Sequence, residues 1–365
     1  TVPMGVLQNM IAEDLPLAAE VDIVLSEMHA PVTVVSAPDG RLFFTEKDTG
    51  NVRVVIDGVI QPEPVLTLPV GAHGEQGMLG LVLDPDFENN GHIWISHTLP
   101  ARANNDVKVN RVVRFTEIDN KATDVQVAYE SPHSSGDGTH NLNNLVFGPD
   151  GMLYITIGDD AQSFLSQNLS DPRGKIHRFI PTIPLTVPED NPFHDGDGPN
   201  EDSIYVYGVR NSFDFVLDPL SEEIRFFATE NGPECDDEVN LILRGYNYGW
   251  NEHYSCDDPN RVRPEINDIP PMLVWKETNA PTGIIVYTGD DFPEWYGDVF
   301  FCTYDGVLHH LKLNETRDAF RMHKWIPGMY CQTDLLNGPD GSLYFLEGGG
   351  YSDGTLKRIY NKNRQ

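Results

Sequence analysis

The run NNLVFGPDGMLYITIGD, from Asn143 to Asp159, reads as two short strands joined by a tight turn. Pro149 presets φ at the first corner, Asp150 bonds nearby backbone, and Gly151 supplies the φ > 0 position. Leu145-Val146-Phe147 on one side and Met152 to Ile157 on the other are rich in β-branched and aromatic residues. His140 therefore stands just before a strand, at the edge of a rigid sheet. Alone, it reads as a loop histidine bonding a carbonyl. Working outward, the same unit recurs. Its copies are VTVVSAPDGRLFFTE (Val32–Glu46), LGLVLDPDFENNGHIWISHT (Leu79–Thr98), DFVLDPLSEEIRFFATE (Asp214–Glu230), GIIVYTGDDFPEWYGDVFFCTYD (Gly283–Asp305) and TDLLNGPDGSLYFLEGG (Thr333–Gly349). The turn prolines Pro38, Pro85, Pro149, Pro219, Pro293 and Pro339 are 47, 64, 70, 74 and 46 residues apart.

Six two-strand units with room for two more strands each indicate an all-β chain, a six-bladed β-propeller of four-stranded antiparallel blades. Residues 1–20 read as a prelude with a short helix around Leu7 to Leu15, and residues 21–365 as the propeller. Val21–Ser26 and Thr355–Tyr360 are expected to share a blade and close the ring, which removes exposed edges.

The chain of 365 residues carries a formal net charge of −31. That charge repels nucleic acid and anionic membranes, and fits a neutral substrate, a cation site or a solvated acidic surface. No run of 18 apolar residues occurs, so no membrane insertion is expected. The residues from Thr1 onward show no charged-then-apolar leader, as in a processed chain or one that never had a leader. Cys235, Cys256, Cys302 and Cys331 have no CxxC spacing, which disfavours zinc. Two disulfides, Cys235–Cys256 and Cys302–Cys331, suit an exported protein, and four buried thiols are the alternative. Asn168-Leu169-Ser170 and Asn314-Glu315-Thr316 match the glycosylation sequon. The acidic loop with Asp195, Asp197, Asn200 and Asp202 has oxygens for Ca²⁺ but no EF-hand spacing, and reads as solvated.

In a propeller, loops of all blades converge at one channel mouth. The polar residues at corresponding positions are Glu75 and Gln76, His140 and Asn141, Arg210 and Asn211, and the run Asn231-Gly232-Pro233-Glu234 with Asp236-Asp237-Glu238. A base, a fixed cation and amides at successive blade edges have the makings of a site.

GEQGMLGLVLDPDFENNGHIWISHT, HNLNNLVFGPDGMLYITIGD, YVYGVRNSF, ATENGPECDDEVNLILRGYNYGW and APTGIIVYTGDDFPEW resemble the soluble quinoprotein glucose/sorbosone and aldose sugar dehydrogenases, in order from about Val21 to Tyr360. The resemblance implies pyrroloquinoline quinone (PQQ) over the channel with Ca²⁺ on it. It implies His140 as general base toward a sugar's anomeric hydroxyl, and Arg210 stabilising negative charge on the reduced cofactor. Glu75, Gln76, Asn141 and Asn211 would be cofactor contacts, and the carbonyls of Gly232 and Pro233 the Ca²⁺ ligands. The partners implied are a small neutral sugar and a soluble electron acceptor, outside the cytoplasm.

This chain departs from the family at several places. Leu142 and Asn143 replace two glycines, and a Leu side chain there would crowd a flat cofactor. Cys331-Gln332-Thr333-Asp334 stands where an Arg-x-Arg-Asp run grips carboxylates, and Asp305 where a lysine is often found. Losing such cations weakens the hold on an anionic ligand. A propeller that has lost PQQ and binds carbohydrate or protein is the other reading.

Overall fold

The computed structural model describes residues 11–100, 108–133, 138–257 and 269–364. Six antiparallel sheets follow one another along the chain. Blade I comprises Pro31–Ser36, Leu42–Glu46 and Asn51–Ile56, with an outer strand in two pieces, Val59–Ile60 and Leu66–Thr67. Blade II runs from Met78–Leu83 through His92–Thr98 and Lys108–Ile118 to Lys121–His133. Blade III is Leu142–Phe147, Leu153–Ile157, Lys175–Phe179 and Ile204–Tyr207, and blade IV is Ser212–Leu217, Phe226–Glu230, Asp237–Ile242 and Leu273–Trp275. Blade V is Pro281–Val286, Val299–Thr303, Val307–Leu313 and Phe320–Ile326. Blade VI takes Cys331–Asn337, Leu343–Gly348 and Gly354–Asn361 from the end of the chain and its outer strand, Ala19–Met28, from the beginning. The protein is a six-bladed β-propeller, closed by the expected pairing of the two chain ends: Val21 lies opposite Ile359.

The expected helix around Leu7 to Leu15 is not formed over its described part. Ile11–Ala12 is instead a strand, parallel to Lys324–Trp325 at the edge of blade V. A helix of about nine residues is marginal on its own, whereas the edge of blade V offers ready backbone partners; Glu13 N–H donates to Trp325 O at 2.9 Å. Leu7 to Met10 lie outside the described residues.

The Pro149-Asp150-Gly151 turn forms as its residues dictate. Gly151 N–H reaches Gly148 O at 3.0 Å, Met152 N–H reaches Asp150 Oδ1 at 3.2 Å, and Gly151 has φ +74°.

The core is divided into six apolar clusters, one in each wedge between neighbouring blades. Side chains alternate across a strand, so the second strand of a blade feeds both its wedges. Phe43 packs toward blade II and Phe44 toward blade VI; Phe300 and Phe301 divide likewise between the V–VI and IV–V wedges. These strands are therefore apolar without alternation. The first strand of every blade faces the channel, and each is broken by a register shift one or a few residues from its start. Hydroxyls on second strands bridge to the next blade at this level: Thr45 donates to Leu79 O, Ser96 to Asn143 O and Thr229 to Thr282 O. The bulges turn polar groups into the channel while these bonds fix its diameter.

Both disulfides pair as expected, Cys235 with Cys256 and Cys302 with Cys331. Among the described residues no helix is long and apolar enough to cross a membrane.

Candidate active site

One mouth of the channel opens into a cavity of about 440 Å³, within the range of small-molecule sites. Its wall is built from positions just past the second strand of several blades, and from the entries to first strands. Lys47, Asn231, Tyr304 and Gly350 come from the former; His140, Asn211 and Thr282 come from the latter or lie beside them.

His140 precedes the first strand of blade III in a left-handed conformation, φ +54°, that side chains other than glycine seldom adopt. Three contacts hold it there. Its N–H donates to Glu75 Oε2 at 2.7 Å, and its Nδ1 lies 2.5 Å from Asp159 Oδ1. Gly158 packs against its backbone so closely that a Cβ there would come within 2.7 Å of the His140 carbonyl. Asp159 is buried and accepts from Ala161 N–H at 2.9 Å and from the Trp250 indole N–H at 2.7 Å. A carboxylate at Nδ1 places the ring proton there and leaves Nε2 as the acceptor. His140 lines the cavity, so this is the geometry of an oriented base.

Arg210 and Asn211 form the corner into blade IV. Buried Glu230 takes the N–H groups of both, at 2.7 and 2.6 Å, and the Ser212 hydroxyl at 2.5 Å. Burial raises the Glu230 pKa and these hydrogen bonds oppose the rise. The Arg210 guanidinium donates to Asn231 O at 2.9 Å and lies over the Trp250 ring, 5.5 Å from its centroid. Trp250 thus joins the arginine to the Asp159–His140 pair. Asn143 Nδ2 donates to Asn211 Oδ1 at 2.9 Å and braces the corner from blade III.

Gly232 and Pro233 also line the cavity. Asp237 fixes their loop by accepting from Gly232 N–H at 2.7 Å, Asn279 N–H at 2.6 Å and Ala280 N–H at 2.7 Å. Burial raises its pKa against these bonds. No described donor occupies the two carbonyls, which leaves them suited to a hard cation. Among the described residues no cluster of three or more His, Cys, Asp or Glu could hold a metal, so a cation here would rest on carbonyl and ligand oxygens.

The structure brings Glu75, His140, Arg210, Asn211, Gly232 and Pro233 around one cavity. Gln76 and Asn141 are buried but are not among the lining residues; Asn141 Nδ2 donates to Gly138 O at 3.0 Å behind the wall. Leu142 does not crowd the cavity. It is fully buried in the wedge between blades II and III. Asp305 is exposed outside the lining and takes the Thr303 hydroxyl at 2.5 Å. Thr333 does line the wall, where it replaces an expected cation. Sequence reasoning missed Asp159, Trp250, Lys47 and Tyr351. For Lys47 and Asp159 the available signal was position, since each follows the second strand of a repeat.

The glucose/sorbosone dehydrogenase family model matches residues 28–358. The chain belongs to this family. It shares 26% identity and a TM-score of 0.81 with the soluble aldose sugar dehydrogenase of Escherichia coli in its apo form, covering 94% of this chain and 99% of that one. Quinoprotein glucose dehydrogenase B of Acinetobacter calcoaceticus is 30% identical over 256 residues, 62% of this chain and 51% of the relative. Mouse Hedgehog-interacting protein is 29% identical over 315 residues, 76% of this chain and 41% of the relative. Family membership gives the class of enzyme, a sugar dehydrogenase; the third relative carries a name of another kind.

Proposed function

We propose that the chain is an exported aldose dehydrogenase that uses PQQ and Ca²⁺. The observation that carries this reading is the His140–Asp159 pair on the wall of a ligand-sized cavity that also holds Arg210 and the open carbonyls of Gly232 and Pro233. These residues fit the group: a base, a cation for an anionic ligand, and oxygen donors for a hard metal. PQQ, when bound, supplies the two-electron acceptor and Ca²⁺ the Lewis acid that polarises it. The Gly232 and Pro233 carbonyls would hold the cation, and Arg210 with Asn211 would hold the cofactor.

In this reading an aldose enters the mouth with its anomeric hydroxyl at His140. Nε2 takes the hydroxyl proton as the hydride leaves the anomeric carbon, and the product is the lactone. Asp159 holds the ring in the tautomer that makes Nε2 basic and stabilises the imidazolium that forms. Arg210 faces the negative charge that develops across the cavity. The two disulfides suit an oxidising compartment outside the cytoplasm.

A second reading, a family propeller that binds carbohydrate or protein without PQQ, is favoured by Thr333 and Gln332 standing in place of anion-gripping cations. One titration separates the two. Ca²⁺-loaded protein is titrated with PQQ, aldoses are added, and quinone absorbance is followed. Binding with sugar-dependent reduction supports the dehydrogenase. A protein that neither binds PQQ nor reduces it ends that reading.

A further inference from the structure

The cavity has a second cation, one that the sequence reading did not single out. Lys47 follows the second strand of blade I, and its side chain lines the cavity. It is almost wholly buried, at 4% exposure. Its ammonium donates to Gly74 O at 2.9 Å and sits 4.3 Å from the centroid of the Tyr351 ring. Among the described residues it has no carboxylate within ion-pair distance. Buried lysines are ordinarily paired. Burial lowers its pKa, with Asp48 and Glu75 pulling the other way from a distance. An ammonium with hydrogens to spare, facing a ligand-sized cavity, is half of an ion pair.

The ring geometry says where the other half would lie. The Lys47 carbonyl takes Met78 N–H at 2.9 Å where blade I meets blade II, and the Arg210 carbonyl takes Asp159 N–H at 2.8 Å where blade III meets blade IV, so the two cations stand on separate walls of the cavity. Among the described lining residues these two are the only lysine and arginine. A flat ligand with carboxylates at both ends would span them. The sixth blade, which offers Gln332 and Thr333, contributes no charge to that grip.

We propose that Lys47 is the residue that binds a ring carboxylate of the flat polyanionic cofactor, on a separate wall from Arg210, in place of the cations missing from blade VI. This rests on the PQQ reading above. A neighbouring ring face, Tyr351 over Lys47, would border the same carboxylate.

A structural alternative is that Lys47 merely pins the 71–76 loop through Gly74 O. Equilibrium titrations, read by quenching of protein fluorescence with the Ca²⁺-loaded full chain, separate the two. The ligands are PQQ and its trimethyl ester, which keeps the flat ring but lacks the charges. Lys47→Met is expected to weaken PQQ binding roughly 10- to 100-fold, the range of one charge-assisted hydrogen bond. Ester binding is expected to stay within about twofold of the parent, and Lys47→Arg to recover most of the PQQ affinity. Equal losses for both ligands, or no loss for PQQ, overturn the assignment while leaving the PQQ reading intact. A parent chain that does not bind PQQ overturns both.

Discussion

Replacing Asp159 by Asn tests the base assignment at its most sensitive point. The carboxylate receives three hydrogens: His140 Nδ1–H and Ala161 N–H on Oδ1, and the Trp250 indole on Oδ2. An amide has one acceptor end and cannot satisfy both sides. If its NH₂ faces Trp250, two donors oppose each other and the indole is left unpaired in a buried place. If it faces His140, the ring must present a lone pair at Nδ1. The proton then moves to Nε2, and the base is lost. Either arrangement costs a buried hydrogen bond, about 1–3 kcal/mol of stability. Both also remove the negative charge that steadies the imidazolium. The expected loss in turnover is therefore about 10²- to 10⁴-fold, with PQQ affinity changed less than threefold, because Asp159 does not itself line the cavity. Single-turnover reduction by stopped flow, with PQQ affinity measured separately, gives the two numbers. The double variant with His140→Ala should be no slower than His140→Ala alone, since the two act as a unit. A variant retaining more than a third of parental turnover would refute the claim that Asp159 sets the working tautomer.

Two further outcomes concern the frame around the site. Ser96 Oγ takes Gly80 N–H at 2.7 Å and donates to Asn143 O at 2.5 Å, so Ser96→Ala orphans two buried backbone groups; a loss of about 2–4 kcal/mol in urea unfolding is expected, and a loss below about 0.5 would show that neighbouring blades hold without the bridge. The N-terminal segment is latched by His310, 2.6 Å from Glu13 and 2.9 Å from Asp298, with Lys324 3.8 Å from Glu13 and Lys312 3.7 Å from Asp298. Burial would lower the His310 pKa, but its hydrogen bonds to Asp298 and Glu13 raise it above 6.5; burial would raise that of Glu13, but the His310 hydrogen bond and charge bring it below 4.5. The histidine contribution is complete below its unfolded pKa and lost as pH rises through the folded one; the Glu13 contribution is present above its unfolded pKa and lost as pH falls. Protection of the Glu13 amide from hydrogen exchange, corrected for intrinsic rates, should therefore peak between about pH 4.5 and 6.5 and decline on both sides. A flat profile, or an unchanged one in His310→Gln, would contradict the latch.

The sequence made the blades legible because each carries its own turn chemistry. Pro-Asp-Gly at three of the six turns fixes a hairpin locally, and the apolar runs beside it have no other way to be buried on two faces. Ring closure was legible for the same reason, as two strands remained without partners at the ends. The site was legible in part. His140, Arg210, Gly232 and Pro233 fall at blade edges that the repeat aligns. Asp159 and Trp250 were hidden because their roles depend on a contact spanning 91 residues. Lys47 was hidden because a lysine after a strand looks like any solvated charge until its burial is known. The anticipated crowding by Leu142 failed on side-chain direction: the register shift after it sends Leu142 into the wedge and Asn143 toward the channel. Composition carries no such information.

The outer strand of blade VI has a consequence for how the chain reaches its native state. Ala19–Met28 leaves the ribosome more than 300 residues ahead of its partner, Gly354–Asn361. Throughout synthesis the early segment waits with an unpaired backbone, and blades I to V can form before the ring is sealed. The sealing step joins residues more than 300 positions apart and carries the loop-closure entropy of all the blades between them. A circular permutant of this propeller that links Asn361 to Ala19 and opens a turn between two other blades would make that pairing local. Its refolding should lose the slowest closure step, while the nascent natural chain depends on keeping one exposed strand away from its neighbours.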